Sequence, residues 1–159
     1  MGAINNAFNQ AAGALAGAGL AIKHAKETEF SKAVTAEHSA LIARDQAKTA
    51  EAEANEVNAE AVKKGGLVEQ MALADVNKEK AEKAFDKAKN RKNASLKTVR
   101  KKKDDLYWAQ NAVYELNNKW QAIVDMNNRV EEQRAYAEKA TRLAKEAQQK
   151  FEKHWGGTR

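Results

Sequence analysis

Not one proline interrupts these 159 residues, where average usage of about 5% would supply roughly eight. Proline inside a helix removes a hydrogen bond and clashes with the preceding turn. A chain of this length without any is a chain written for long helices. Aromatic residues make up only 6% and charged residues 31%, a composition suited to extended helices and coiled coils. There is no cysteine, so neither a disulfide framework nor a thiolate metal site is expected.

Helical spacing is explicit. Ala33, Ala36, Ala40, Ala43, Ala47, Ala50, Ala54, Val57 and Ala61 follow a strict +3/+4 alternation. That is a heptad seam made almost wholly of alanine. Alanine lets helices approach closely but buries little. Each Leu-to-Ala difference forgoes about 2.4 kcal/mol at ~0.8 kcal/mol per methylene. Helices 23–64 and 67–155 are therefore expected to rely on heavier residues elsewhere or on a larger assembly. Gly65-Gly66 is the clearest break, a helix end and a turn into the next helix. Around 90–95 the seam fades, and a second turn there would make two helices of 67–155. From Leu106 the alternation returns through Ala109, Val113, Leu116, Trp120, Ile123, Asn127, Val130, Arg134, Ala137, Thr141, Ala144, Gln148, Phe151 and Trp155. Asn127-Asn128 is a candidate break, with Asn128 as a cap and Glu131 three residues on. Gly156-Gly157 closes the helix before the tail 156–159. The packing residues expected from these seams are Ala40, Ala43, Ala47, Ala50, Ala54, Leu116, Trp120 and Ile123. The fold class expected is all-α, an elongated helical hairpin or coiled coil with an N-terminal amphipathic Gly/Ala-rich helix.

Charge is placed unevenly. Residues 1–22 carry no charged side chain. In this segment Ile4, Phe8, Leu15 and Ile22 fall on one helical face, and Gly13 and Gly17 form a GxxxG with further small-xxx-small pairs beside it. The apolar run proper, 11–22, is shorter than the ~20 residues of a standard membrane span, so insertion would need an oligomer with its amides turned inward. Burial against protein is the other reading. Residues 87–103 hold nine basic and no acidic side chains, whereas 23–86 sum to −3 and 104–159 to zero. The whole excess of +6 thus comes from Lys87, Lys89, Arg91, Lys92, Lys97, Arg100, Lys101, Lys102 and Lys103, which on a single helix would form a ring. Phosphates of DNA, anionic headgroups or acidic faces of neighbouring subunits would neutralise it. No base-reading motif accompanies it, so nucleic-acid binding would be sequence-independent. Tyr107-Trp108 follows the basic run directly, where it could anchor at a membrane interface.

Catalytic signals are weak. His24, His38 and His154 have no partners at metal-ligand spacing, and GALAGAG lacks the Lys-Ser/Thr of a phosphate-binding loop. The carboxylates sit among lysines at helical spacing, as solvated faces do. No enzyme activity and no cofactor are expected.

The opening MGAI…AGALAGAGLAIKH, followed by long Ala/Gln/Asn/Lys/Glu helices, resembles the DNA-ejection proteins of bacterial viruses. The resemblance is first to the DNA pilot (minor spike) protein of microviruses and second to the internal-core ejection proteins of short-tailed phages. The resemblance implies a place in the virion interior and, during entry, in the host envelope. It also implies homo-oligomerisation into a helical tube, contact with other virion proteins and membrane lipids, and passage of DNA. The alternatives are a cytoplasmic or virion scaffolding coiled coil docking through residues 1–22 to a capsid or portal, a conditionally disordered stress-protective helix, and a pore-forming toxin.

Overall fold

The computed structural model describes the backbone of residues 2–156 and the side chains at 6 and 9–156. The fold is all-α. Helix α1 spans Gly2–Val62, α2 Leu67–Lys89 and α3 Leu96–Trp155. No helix boundary falls between residues 22 and 23, because nothing in the sequence there breaks the backbone hydrogen-bond ladder. The Gly/Ala segment is the first part of α1.

Two compact units form, one from Met1–Lys48 with Gln133–Arg159, the other from Thr49–Glu132. In the first, α1 and α3 run antiparallel, since Glu29 meets Trp155 whereas Arg44 meets Thr141. Arg44 Nε donates to Thr141 Oγ1 over 3.0 Å, and Thr141 Oγ1 donates in turn to the Ala137 carbonyl over 2.8 Å. The Phe30 and Phe151 rings meet at 5.5 Å and 57°, the tilted geometry that aromatic quadrupoles favour.

In the second unit the end of α1, all of α2 and the start of α3 pack together. The α1–α2 turn depends on its two glycines for different reasons. Gly65 has φ +74°, a conformation that a Cβ makes costly. Gly66 has an ordinary φ, but a Cβ there would lie 2.5 Å from the Glu60 carbonyl oxygen and 2.7 Å from that of Ala61. The turn is closed by Gly66 N–H donating to Lys63 O at 2.8 Å. Glu69, in the first turn of α2, accepts from Gly65 N–H at 2.8 Å, placing a negative charge where the helix dipole favours it. The α2–α3 turn needs no glycine. Asn90 ends α2 with φ −90° and ψ −1°, and Ser95 caps α3, its Oγ accepting from Thr98 N–H at 3.1 Å.

The core is alanine. Among the described residues Ala40, Ala43, Ala54, Ala61, Ala74, Ala88, Ala137 and Val130 are the buried hydrophobic ones, and no large side chain is fully enclosed. Ala33, Ala36, Ala47 and Ala50 are half-buried on the same seam. At one position the seam departs from the expected register. Val57 is exposed and its neighbour Asn58 is half-buried, where it pairs reciprocally with Asn127. Asn58 Nδ2 donates to Asn127 Oδ1 over 2.9 Å, and Asn127 Nδ2 donates to Asn58 Oδ1 over 3.1 Å. Two facing amides satisfy each other's donor and acceptor, which Val57 could not do for Asn127. Asn127-Asn128 is no break: α3 runs through it, and Asn127 spends its side chain across the helix pair instead of capping. Leu116 and Ile123 are half-buried, but Trp120 is 38% exposed. Its ring is too large for the close approach that alanines permit.

Candidate functional site

Two features stand apart from the packing: the uncharged start of α1 and the basic tip of the α2–α3 hairpin.

Every described side chain from Asn9 to Thr28 is exposed. Leu15 is 74% and Ile22 57% accessible. A Cβ added to Gly13 or Gly17 would meet nothing within 4 Å, so within the chain these glycines relieve no crowding. Ile4 and Phe8, expected on the same face, lie outside the described side chains. Among the described residues no helix is long and apolar enough to cross a membrane. Asn9 and Gln10, with Lys23 and Lys26 beyond, bound an apolar run too short for that.

Helix packing begins just past this arm. Glu29 Oε2 accepts from the Trp155 indole N–H over 2.6 Å and lies 3.5 Å from His154 Nδ1. The indole hydrogen bond, with help from His154, holds the Glu29 carboxyl below its ordinary value. The sequence places Trp155 on the apolar seam, and it is half-buried there. Its partner Glu29 lies 126 residues away, and no local signal announces the contact. Beside it runs an open groove lined by Phe30, Val34, Leu41, Ala144 and Phe151.

The basic segment is not one helix. Lys87 and Lys89 end α2, Arg91 and Lys92 lie in the turn, and Lys97, Arg100, Lys101, Lys102 and Lys103 open α3. The expected ring is replaced by a folded-over tip, because Asn90 and Ser95 end and restart the helix within the segment. Lys89 is occupied by Asp86 at 3.6 Å and lies 5.4 Å above the Phe85 ring. Among the described residues none of the other eight makes an ion pair. The fold brings Lys87 and Arg91 from one side and Lys102 from the other to a single cleft, together with Thr98. Further along α3, Tyr107 and Trp108 are 61% and 66% exposed, with ring centroids 5.4 Å apart and an interplanar angle of 76°.

Among the described residues no group of three or more His, Asp or Glu is placed to hold a metal ion. The short-range ion pairs, such as Glu79–Lys83 at 2.8 Å within α2 and Lys63–Glu60 at the end of α1, face solvent. Such geometry supports surface recognition through apolar contact and charge. No family model matches the chain, and neither a curated protein nor a solved structure is similar to it.

Proposed function

We propose that this chain is a non-enzymatic, oligomeric component of a bacterial virus particle that assists genome delivery by contacting the host envelope, DNA or both, with residues 1–22 as the envelope-contacting arm. The observation that carries this role is the arm itself: an uncharged helical stretch whose described side chains are all exposed, continuous with a charged helical body. Apolar surface left open in this way is a binding surface or a liability. Self-association has separate support. Phe30, Val34 and Leu41 stay 55%, 48% and 50% exposed beside an open groove, and further helices laid there would cover them.

The test is flotation and dye leakage with anionic liposomes, comparing the full chain with a variant beginning at Lys23. Binding and leakage that vanish on truncation support delivery. Gly13→Leu with Gly17→Leu is expected to lower both assembly and leakage; unchanged values refute a role for the small-residue face. A second reading, a scaffolding coiled coil docking through residues 1–22 to a capsid, portal or other protein, is favoured by the lack of a membrane-spanning helix among the described residues. It predicts no liposome binding by either form and loss of partner binding on truncation.

A further inference from the structure

We propose that the tip of the α2–α3 hairpin is a docking site for single-stranded nucleic acid, held by its phosphates and by base stacking on Tyr107 and Trp108. Three observations converge on it. The first is charge: between residues 87 and 108 nine basic side chains face only two carboxylates, Asp104 and Asp105. Eight of the nine have no ion-pair partner among the described residues. Such a cluster repels itself until a polyanion neutralises it, and counterion release then drives binding.

The second is shape. Lys87 and Arg91 oppose Lys102 across a cleft that also holds Thr98. A concave site with cationic walls on two elements suits a phosphodiester passing between them. A planar lipid surface would instead meet the outermost charges, and Leu96 is the one large apolar side chain exposed at the turn itself.

The third is the aromatic pair. Helical spacing places Lys97, Lys101, Asp104 and Trp108 in one row along α3, and Arg100, Lys103 and Tyr107 in another. Each row ends in an exposed ring, the first with one carboxylate just before it. Neither ring is itself a seam residue, although the seam positions Leu106 and Ala109 flank the pair, and both rings stand open to solvent. Basic tracks leading to open aromatic faces are the means by which proteins hold unpaired bases without reading sequence. Duplex DNA keeps its bases stacked inside and offers such rings nothing.

Nucleic-acid contact is common to this site and to the delivery role, but the arm and the tip are separate surfaces, and a failed liposome assay leaves the tip untouched. The experiment is fluorescence anisotropy of a labelled oligothymidine of about 20 nucleotides titrated with the full chain across a salt series. Parallel titrations use a duplex of equal length and vesicles of anionic lipid. The single strand is expected to bind most tightly. Replacing Lys87, Arg91 and Lys102 with Gln is expected to weaken binding at least tenfold and to flatten the log–log salt slope by about 2, at roughly 0.7 per phosphate contact. Tyr107→Ala with Trp108→Ala is expected to weaken single-strand binding by about fivefold or more while leaving the salt slope unchanged. Helicity by circular dichroism checks that these surface variants fold. Equal affinity for duplex and single strand with no effect of the aromatic variant overturns the stacking site. Binding to vesicles alone, or no binding to either nucleic acid at low salt, overturns the site altogether.

Discussion

The Asn58–Asn127 pair lends itself to a double-mutant cycle. Its two hydrogen bonds, 2.9 and 3.1 Å, join helices whose other contacts on this seam are largely methyl groups. Asn127→Leu removes both bonds and leaves the Asn58 amide facing a hydrocarbon. Each bond contributes about 1 kcal/mol net, and an unsatisfied buried amide costs about 1–3 kcal/mol. The pair is only part-buried, so water reaches the orphaned amide, and the lower end applies. Either single change to Leu is therefore expected to cost about 1.5 kcal/mol. The double change removes donor and acceptor together and adds apolar contact, which is neutral or stabilising. The coupling energy is then about 3 kcal/mol or more. Urea unfolding followed at 222 nm would show each single variant with its midpoint lowered by roughly 0.5–1.5 M, given slopes of about 1–3 kcal/mol/M, and the double variant at or above the parent. A double variant that loses the sum of the singles would show that the two amides do not depend on each other, and the register assigned to this seam would be wrong. Paired buried amides also specify alignment. The more stable double variant should therefore hold its alanine seams in a less unique register, visible as broadened amide resonances.

Other outcomes follow from the same geometry. The Glu29 carboxyl is held below its ordinary value by Trp155 and then His154, so its contribution is complete above the unfolded value, near 4.5, and is lost as pH falls through the lower folded one. The Trp155 indole proton resonance should shift over that acid range, and Glu29→Gln should abolish the shift. Gly66→Ala drives a methyl group against the carbonyl oxygens of Glu60 and Ala61 and should cost about 1–3 kcal/mol in urea unfolding. Gly65→Ala, strained only by its φ of +74°, should cost about 1 kcal/mol. A variant beginning at Lys23 should melt within a degree or two of the full chain, because the described arm side chains removed are exposed; a large drop would mean the arm is packed.

The sequence makes the helices legible because the constraint that shapes them is periodic and unbroken. The alanine positions from 33 to 61 are small at every turn of one face, and that face is the one buried. Gly65-Gly66 is equally readable, since two adjacent glycines end a helix wherever they fall. The turn at 90–95 is harder to read. Asn90 and Ser95 are modest local signals, and within a run of lysines they compete with no hydrophobic pattern that would show where the helix stops. Asn58 escapes because period alone assigns the seam to the apolar neighbour Val57, whereas the choice is made by a partner 69 residues away. Of the candidate surfaces, the charge excess is visible in composition. Its division over two helices, which turns a ring into a cleft, depends on that turn and so on the structure. The contact of Glu29 with Trp155 is invisible to any local rule.

Both chain reversals, at Gly65-Gly66 and at 90–95, belong to the unit formed by Thr49–Glu132. Among the described residues the other unit has no loop of its own: its two helical segments meet through contacts 97 and 126 residues apart in sequence. Order of folding follows from that difference. The hairpins can form early from neighbours in sequence, whereas the pairing of Glu29 with Trp155 must wait until a long stretch of chain has been ordered. Opening should run in reverse. The pair separated by the longest stretch of chain should come apart first, so that amide exchange near Phe30 and Phe151 outpaces exchange at the Asn58–Asn127 pair, and one unit could part while the other stays folded.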